Sequence, residues 1–216
     1  MNPSFRFGLA AVGACLAFSA AQAGEVTLVV TAPANVKGSL AKAKTTLQAN
    51  GSKILTLTMS LKSSNGNLTV LQESVYAPDG RPLRHTRRTS LASGKLVEFI
   101  RADIGGAELK VTVERDGKPV TTKSKLPAGE LKALSEFWVL RDKPPTGSKH
   151  TFLRFDLTTL SFSMTTAVYK GLQPITLGGK ALKAHVIVEG DATTWLDDKG
   201  DPWKIAGKAS AMERKQ

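Results

Sequence analysis

Apolar and polar residues alternate along several stretches of this chain, and this alternation restricts its fold more than any other feature. Residues 55–61 read LTLTMSL, and the same two-residue period recurs at 109–114, 153–157 and 160–165. Successive side chains of a β-strand point to opposite faces, so each stretch predicts a strand with one apolar and one polar face. Half-buried strands of this kind are typical of antiparallel sheets.

Turn dipeptides separate the alternating stretches at intervals of about 11 to 15 residues. They are Asn50-Gly51, Asn65-Gly66, Asp79-Gly80, Ser93-Gly94, Gly105-Gly106 and Asp116-Gly117. This rhythm is typical of consecutive hairpins. The sequence therefore predicts a mainly β protein, with one curved antiparallel sheet or half-open barrel of about ten strands.

One segment, 127–142, departs from the strand pattern. Leu131, Leu134, Phe137 and Trp138 recur at helical spacing, and a proline opens the segment. The pattern predicts a single helix of about three turns that covers the apolar face of the sheet.

The N-terminus has the three parts of a secretory signal peptide. Arg6 supplies a positive charge, residues 7–18 are uncharged and apolar, and small residues end in Ala-Gln-Ala at Ala23. The apolar run is shorter than the roughly 20 residues that span a bilayer. We expect cleavage after Ala23 and a periplasmic or secreted protein. A lipidated Cys15 is the alternative, which the apolar residues that follow it disfavour.

The expected cleavage defines the remaining organisation. Residues 1–23 form the signal peptide, 24–207 one β-rich domain, and the polar segment 208–216 a flexible C-terminal tail. The mature chain then holds no cysteine, which excludes disulfides and thiolate ligands. It also has no further apolar run long enough for a transmembrane segment.

The chain is strongly basic, with a net charge of +12. For an exported protein, this charge favours an anionic envelope component over nucleic acid as a partner. Solubility alone is the other explanation of the charge.

Residues typical of catalysis or metal binding are sparse. His85, His150 and His185 are scattered, and the chain has no Gly-x-Ser-x-Gly motif. Asp197, Asp198 and the aspartate at 201 fit a hairpin turn better than a calcium loop. We therefore expect no catalytic set, no metal and no cofactor, although a hydrolase whose residues meet only in the fold stays an alternative.

The one concentration of positive charge reads Arg81-Pro-Leu-Arg84-His-Thr-Arg87-Arg88. In a strand, Arg84 and Arg88 share one face, while Arg87 lies on the other beside His85. Guanidinium groups bind phosphates and carboxylates at two points, so these arginines predict an anion-binding site. The alternative is a solvated or edge strand protected by charge.

Three motifs in the C-terminal half carry a resemblance to known proteins. They are Tyr169-Lys170-Gly171, the Ile-Thr-Leu-Gly-Gly-Lys of 175–180, and the Trp-Leu-Asp-Asp-Lys-Gly-Asp-Pro of 195–202, all after a helix near 134–141. With them the chain resembles exported bacterial proteins of unknown function. The resemblance implies a curved antiparallel sheet, distantly like that of periplasmic lipoprotein carriers, and with it lipid handling. It implies no functional residue.

Two functions follow from these patterns. The first is a non-enzymatic binding protein for a lipid or other apolar ligand held on the apolar face of a curved sheet. Its predicted wall is Leu55, Leu57, Met59, Phe137, Trp138, Leu153, Phe155, Phe162 and Met164. A closed, dry core is the alternative for these side chains. The second function is an envelope assembly or scaffold protein that binds a protein or anionic polysaccharide through its basic surface.

Overall fold

The computed structural model describes residues 24–33, 36–61, 67–129, 131, 135–208 and 210–215. These residues form 14 β-strands in one antiparallel sheet, with one α-helix. The strands are β1 Gly24–Ala32, β2 Leu40–Leu47, β3 Lys53–Leu61, β4 Leu68–Tyr76, β5 Pro82–Leu91, β6 Leu96–Gly105, β7 Glu108–Arg115, β8 Lys118–Lys125, β9 Lys149–Asp156, β10 Ser161–Leu177, β11 Lys180–Glu189, β12 Ala192–Leu196, β13 Pro202–Ala206 and β14 Ala211–Arg214.

The predicted fold class is confirmed, with 14 strands instead of about ten. The strands that alternation failed to reveal are short or polar. β12 and β13 have five residues each, β14 has four, and every residue of β8 is exposed. A two-residue period cannot be recognised over so few residues or without an apolar face.

The strand order is β8 to β1 in sequence, followed by β14 down to β9. Pairing of β1 with β14 joins the two halves, and β8 and β9 are the two edges of the sheet. The sheet rolls up without closing: Phe155 of β9 packs beside Ile100 of β6 and Val111 of β7, strands with which β9 has no backbone pairing.

The strand register defines an inner face, which carries Leu28, Leu57 and Ile205. These three side chains belong to one buried apolar cluster that spans β1–β4, β13 and β14. All three are at most 3% exposed, so this half of the sheet encloses a dry core.

The single helix, α1, runs from Ser135 to Asp142. Residues 127–129, at the start of the predicted segment, form a loop, and residues 130 and 132–134, with the predicted Leu134, lie outside the described residues. Val139 of α1 packs against Phe152, Ala167 and Ile187, which lie on the inner face of β9–β11, so the predicted covering role is present. No helix within the described ranges has both the length and the apolar character needed to cross a bilayer.

The predicted flexible tail is wrong for residues 211–214, which form β14 between β1 and β13. Met212 is 2% exposed in the apolar core. Glu213 pairs with Lys204 at 2.8 Å and Arg214 with Asp197 at 2.9 Å. The charged residues of this segment form ion pairs only in the assembled sheet. The sequence therefore shows a polar segment and does not reveal the strand.

Candidate ligand-binding site

The predicted apolar wall is divided between the two faces of the sheet. Leu55, Leu57 and Met59 lie on the inner face and are buried. The register of β9 and β10 puts their apolar residues on the opposite, outer face. These are Leu153, Phe155, Phe162 and Met164. Alternation shows which residues of one strand share a face. It does not show which face of a second strand lies on the same side of the sheet, so the prediction joins the two sets in one wall.

The rolled sheet nevertheless brings part of this outer set against the inner face. Phe155 and Phe162 pack edge to face at 5.1 Å, and both lie in the cluster with Ile100 and Val111. Met164 is 59% exposed, whereas Leu153 is buried. The β9–β10 hairpin, which we call the flap, therefore covers the inner face of β5–β7 and contacts it with its outer side. We call this contact the seam.

The helical part of the predicted wall lies elsewhere. Trp138 stacks on His150 at 5.3 Å, near the cluster formed by Val139 and Phe152. The Phe137 side chain lies outside the described residues. These aromatic groups cover the inner face of β9–β11. They belong to a different apolar cluster from Leu55, Leu57 and Met59.

The four predicted anion-binding arginines do not converge. Arg81 precedes β5, is exposed, and pairs with Asp79 at 2.9 Å. Arg84 contacts Glu73 at 3.4 Å on the outer face, where Arg88 is also exposed. Arg87 alone lies on the inner face, 6% exposed.

Arg87 is held in a buried ion-pair network. It donates to Oε2 of Glu98 at 2.9 Å, and Arg115 approaches Oε1 of the same carboxylate at 2.6 Å. Burial by itself raises the pKa of Glu98, but the hydrogen bonds and charges of Arg115 and Arg87 outweigh it and hold that pKa below its ordinary value. The network therefore keeps a charged carboxylate and a charged guanidinium inside the roll.

Two polar atoms beside this network have no hydrogen-bond partner among the residues that the structure describes. They are Nε of Arg87 and Oγ1 of Thr89, which is 0% exposed. Arg87 and Thr89 are two residues apart on β5 and both face inward. An unpaired buried donor costs about 1–3 kcal/mol, so native proteins rarely keep two as neighbours.

His85 completes the polar inner face of β5. Its Nδ1 lies 2.8 Å from Oγ of Ser74, and its ring stacks on Phe155 of the flap at 6.0 Å. Burial, reinforced by the positive charge of Arg154, lowers the pKa of His85 to about 4. His85 is thus a neutral ring at the seam, where β5 meets β9.

The flap carries a second buried ion pair close to His85. Arg154 of β9 donates to Oε2 of Glu189 on β11 at 3.2 Å. The Glu189 side chain is 8% exposed, and its Oε1 has no partner among the described residues. Sequence reasoning missed Thr89, Glu98 and this pair, although inward alternation from His85 and Arg87 predicts the position of Thr89.

The motifs behind the resemblance have structural roles. Gly171 forms a bulge in β10 with φ +87°, and a Cβ there would lie 2.5 Å from Oγ1 of Thr146. Only glycine fits such a position. Asp197 accepts hydrogen bonds from the backbone of Lys199 and Asp201 at 2.9 Å, which confirms the predicted hairpin turn. Within the described ranges, no group of three metal-binding side chains occurs.

One chain of polar contacts superficially resembles a catalytic relay. The Tyr169 hydroxyl lies 2.8 Å from Nδ1 of His185, and Nε2 of His185 lies 3.4 Å from Asp198. Burial raises the pKa of Tyr169, which disfavours a phenolate nucleophile. Asp198 is 91% exposed, so it orients the imidazole weakly. This series of contacts links β10 to β11 and does not activate a nucleophile.

No protein-family model and no curated protein matches this sequence. Among solved structures, a β-barrel-like protein of a domain family of unknown function, DUF1849, from Brucella abortus is similar, with a TM-score of 0.57 and 12% identity over 89% of this chain and 94% of that one. A DUF1089 family protein from Pseudomonas aeruginosa is more remote, with a TM-score of 0.39 and 14% identity over 80% of this chain and 89% of that one. The first likeness shows the fold alone: the chain has the β-barrel-like architecture of a distant protein of unknown function.

Proposed function

We propose that the chain is an exported, periplasmic binding protein for a lipid or other apolar ligand with an anionic headgroup. The proposed site lies at the seam, between the inner face of β5 and the β9–β10 flap. The single observation that carries the proposal is the pair of unpartnered polar atoms, Arg87 Nε and Thr89 Oγ1, beside the apolar inner face of β6 and β7.

The chemistry of the pair suits an anionic acceptor. A guanidinium N–H and a hydroxyl, side by side on one strand, both donate to a carboxylate or phosphate oxygen. Arg87 lies between Gln72 and Ile100 in the strand register, and Thr89 lies between Val70 and Glu98. Each donor therefore has one apolar neighbour for an acyl chain. Charge-assisted hydrogen bonds are stronger in such a low-dielectric environment than in water.

Access to these donors requires a local opening of the roll, since both atoms are fully covered. Packed side chains and the His85–Phe155 stack hold the seam, with no backbone ladder between β5 and β9. Opening it therefore breaks no strand pairing. The two unpaired donors raise the free energy of the closed roll by about 1–3 kcal/mol each, which lowers the cost of opening.

The test is mass spectrometry of the organic extract from protein purified out of its native periplasm. We expect a stoichiometric amphipathic anion that is lost from Arg87→Met and retained by Arg84→Met, the matched variant on the outer face. An empty wild-type protein, or equal retention by the two variants, would contradict the proposal.

A second function is favoured by the β8 edge. All eight residues of β8 are exposed, including Lys118, Lys123 and Lys125, and β7 is its one strand neighbour in the sheet. Such an edge can accept an additional strand from an acidic segment of an envelope protein. A pull-down that loses its partner when these lysines are changed to glutamate, with no co-purified small molecule, would favour this scaffold function.

A further inference from the structure

A cleft of about 640 Å³ lies at the end of the sheet where β1 begins. Negative side chains from two places in the chain meet there, one glutamate from β1 and three aspartates from the β12–β13 turn. They are Glu25, Asp197, Asp198 and Asp201, with Lys199, Arg214 and Lys215 also in the lining.

Asp201 is a half-buried carboxylate of this cleft that has no cation of the described residues in direct contact. Arg214 donates to Asp197 and to the carbonyl of Pro202, both at 2.9 Å. No ion pair within 4.0 Å reaches Asp201 among the residues described. Burial, and secondarily the charge of Asp197, raise the pKa of Asp201 despite the opposing charges of Arg214 and Lys199.

Gly24, the first residue of β1, lies directly beside this carboxylate. A Cβ built on Gly24 would be 3.4 Å from Oδ2 of Asp201. Gly24 is also the residue at which the sequence predicts the mature chain to begin. One structural observation and one sequence-based prediction therefore meet at the same residue.

We infer that removal of residues 1–23 creates the cation that Asp201 lacks, the α-ammonium group of Gly24. The inference rests on the proposed export. A signal peptidase adds water across the Ala23–Gly24 peptide bond, which leaves a carboxylate on Ala23 and an amine on Gly24 that takes up a proton. The neutral amide N–H of the precursor thus becomes a positive charge beside Asp201.

This ion pair fastens the start of β1 to the β12–β13 turn. Asp201 therefore has opposite effects on folding stability in the precursor and in the mature chain. With a neutral nitrogen at Gly24, the charged Asp201 opposes folding, because its pKa is raised. With the ammonium present, the same carboxylate stabilises the fold. Maturation therefore strengthens the junction between the two halves of the sheet.

The first test measures the pKa of the α-amine in protein processed in and purified from the periplasm, by NMR of Gly24 labelled with ¹⁵N. An unperturbed α-amine titrates at about 7.7–8.0. We expect the wild-type value to exceed that of Asp201→Asn by about one unit, as for a neighbouring opposite charge. Asp198→Asn, at an exposed position of the same turn, is the control and should stay close to wild type.

The second test uses chemical acetylation of the α-amine, which restores the neutral nitrogen on an otherwise unchanged chain. Acetylation should lower the melting temperature of the wild type by about 2 °C and leave Asp201→Asn unchanged. In the acetylated protein, Asp201→Asn should be neutral or stabilising.

The outcomes separate this inference from the proposed function. Equal α-amine pKa values in the wild type and Asp201→Asn, or a mature mass that does not begin at Gly24, would overturn the ion pair. A protein that passes both tests but yields no ligand on extraction keeps the ion pair and contradicts the binding proposal.

Discussion

Strands β3 and β5 lie two positions apart in one sheet, yet their inner faces differ completely. β3 contributes Leu55, Leu57 and Met59 to the dry core. β5 places His85, Arg87 and Thr89 at the same depth, each at most 9% exposed. β4, between them, changes from Val70 to Ser74 along its length.

The difference shows that one curved sheet encloses two environments. The β3 side is stabilised by apolar burial and needs no partners for polar atoms. The β5 side contains a charged network in which some polar atoms are paired and others are not. A protein that needed only a stable core would gain by making β5 resemble β3, because buried ion pairs are often replaceable by apolar residues without loss of stability. The polar strand is therefore where we look for function.

The largest effect expected from a single change is on the β3 side. Leu57→Ala removes a side chain that is 3% exposed and should lower the free energy of unfolding by about 2–5 kcal/mol. Leu71→Ala, on β4 and 40% exposed, should cost less than about 0.5 kcal/mol. Urea unfolding of both variants measures the difference. Similar values would show that the β3 side is not a tightly packed core.

On the β5 side, Arg87→Met should lower the free energy of unfolding by about 3 kcal/mol, the lower end for breaking a buried ion pair, since Arg115 still contacts Glu98. Arg84→Met is the matched control. Both side chains of its ion pair with Glu73 are more than a third exposed, so Arg84→Met should lower the free energy of unfolding by less than about 1 kcal/mol. A harmless Arg87→Met would mean that the network contributes nothing to the fold.

The neutral His85 predicts a pH dependence that the β3 side lacks. Its pKa of about 4 in the fold lies below the ordinary value of 6.5, so the unfolded chain binds a proton first as the pH falls. The stability from His85 is full above pH 6.5 and is lost as the pH falls toward 4, on the order of 3 kcal/mol in total.

Chemical unfolding of wild type and His85→Gln across this range isolates the effect. The difference in stability between the two should change with pH between 6.5 and 4. A pH-independent difference for His85→Gln would place the ring in contact with water.

The smallest effect tests the unpaired hydroxyl. Thr89→Val keeps the shape and removes a buried polar atom without a partner, so it should raise the stability of the ligand-free protein by about 1 kcal/mol. Thr86→Val on the outer face is the control, with a change within about 0.5 kcal/mol. If Thr89→Val destabilises the protein, the hydroxyl is satisfied and the argument for a ligand at β5 weakens.

Local sequence patterns predicted the parts of the fold that depend on neighbours along the chain. The alternation in 55–61 predicted β3 and its apolar face, and Asp197 to Gly200 predicted a turn. The same reasoning put Arg87 opposite Arg84, as the structure has it. It failed at β14, whose four residues are too few to show a period.

The candidate site was predicted only in part, because alternation within a strand does not show which residues of β5, β6 and β7 lie opposite each other. The charge pattern identifies Arg87, but not Glu98, Arg115 or Thr89. Alternation predicts one wall for Phe155 and Leu57, whereas they lie on opposite faces of the sheet. Nothing in either strand specifies how the sheet rolls, so the packing of Phe155 onto β5–β7 was not predictable from alternation.

Local sequence patterns are enough to specify an antiparallel sheet of hairpins with one apolar face, because strand periodicity and turn chemistry act over a few residues. Which buried positions are dry and which are charged depends on how the strands pair and pack. The free energy of a buried charge depends on its partners in other strands. The β5–β6 register brings Glu98 beside Arg87, and the roll of the sheet brings the β9–β10 flap against His85.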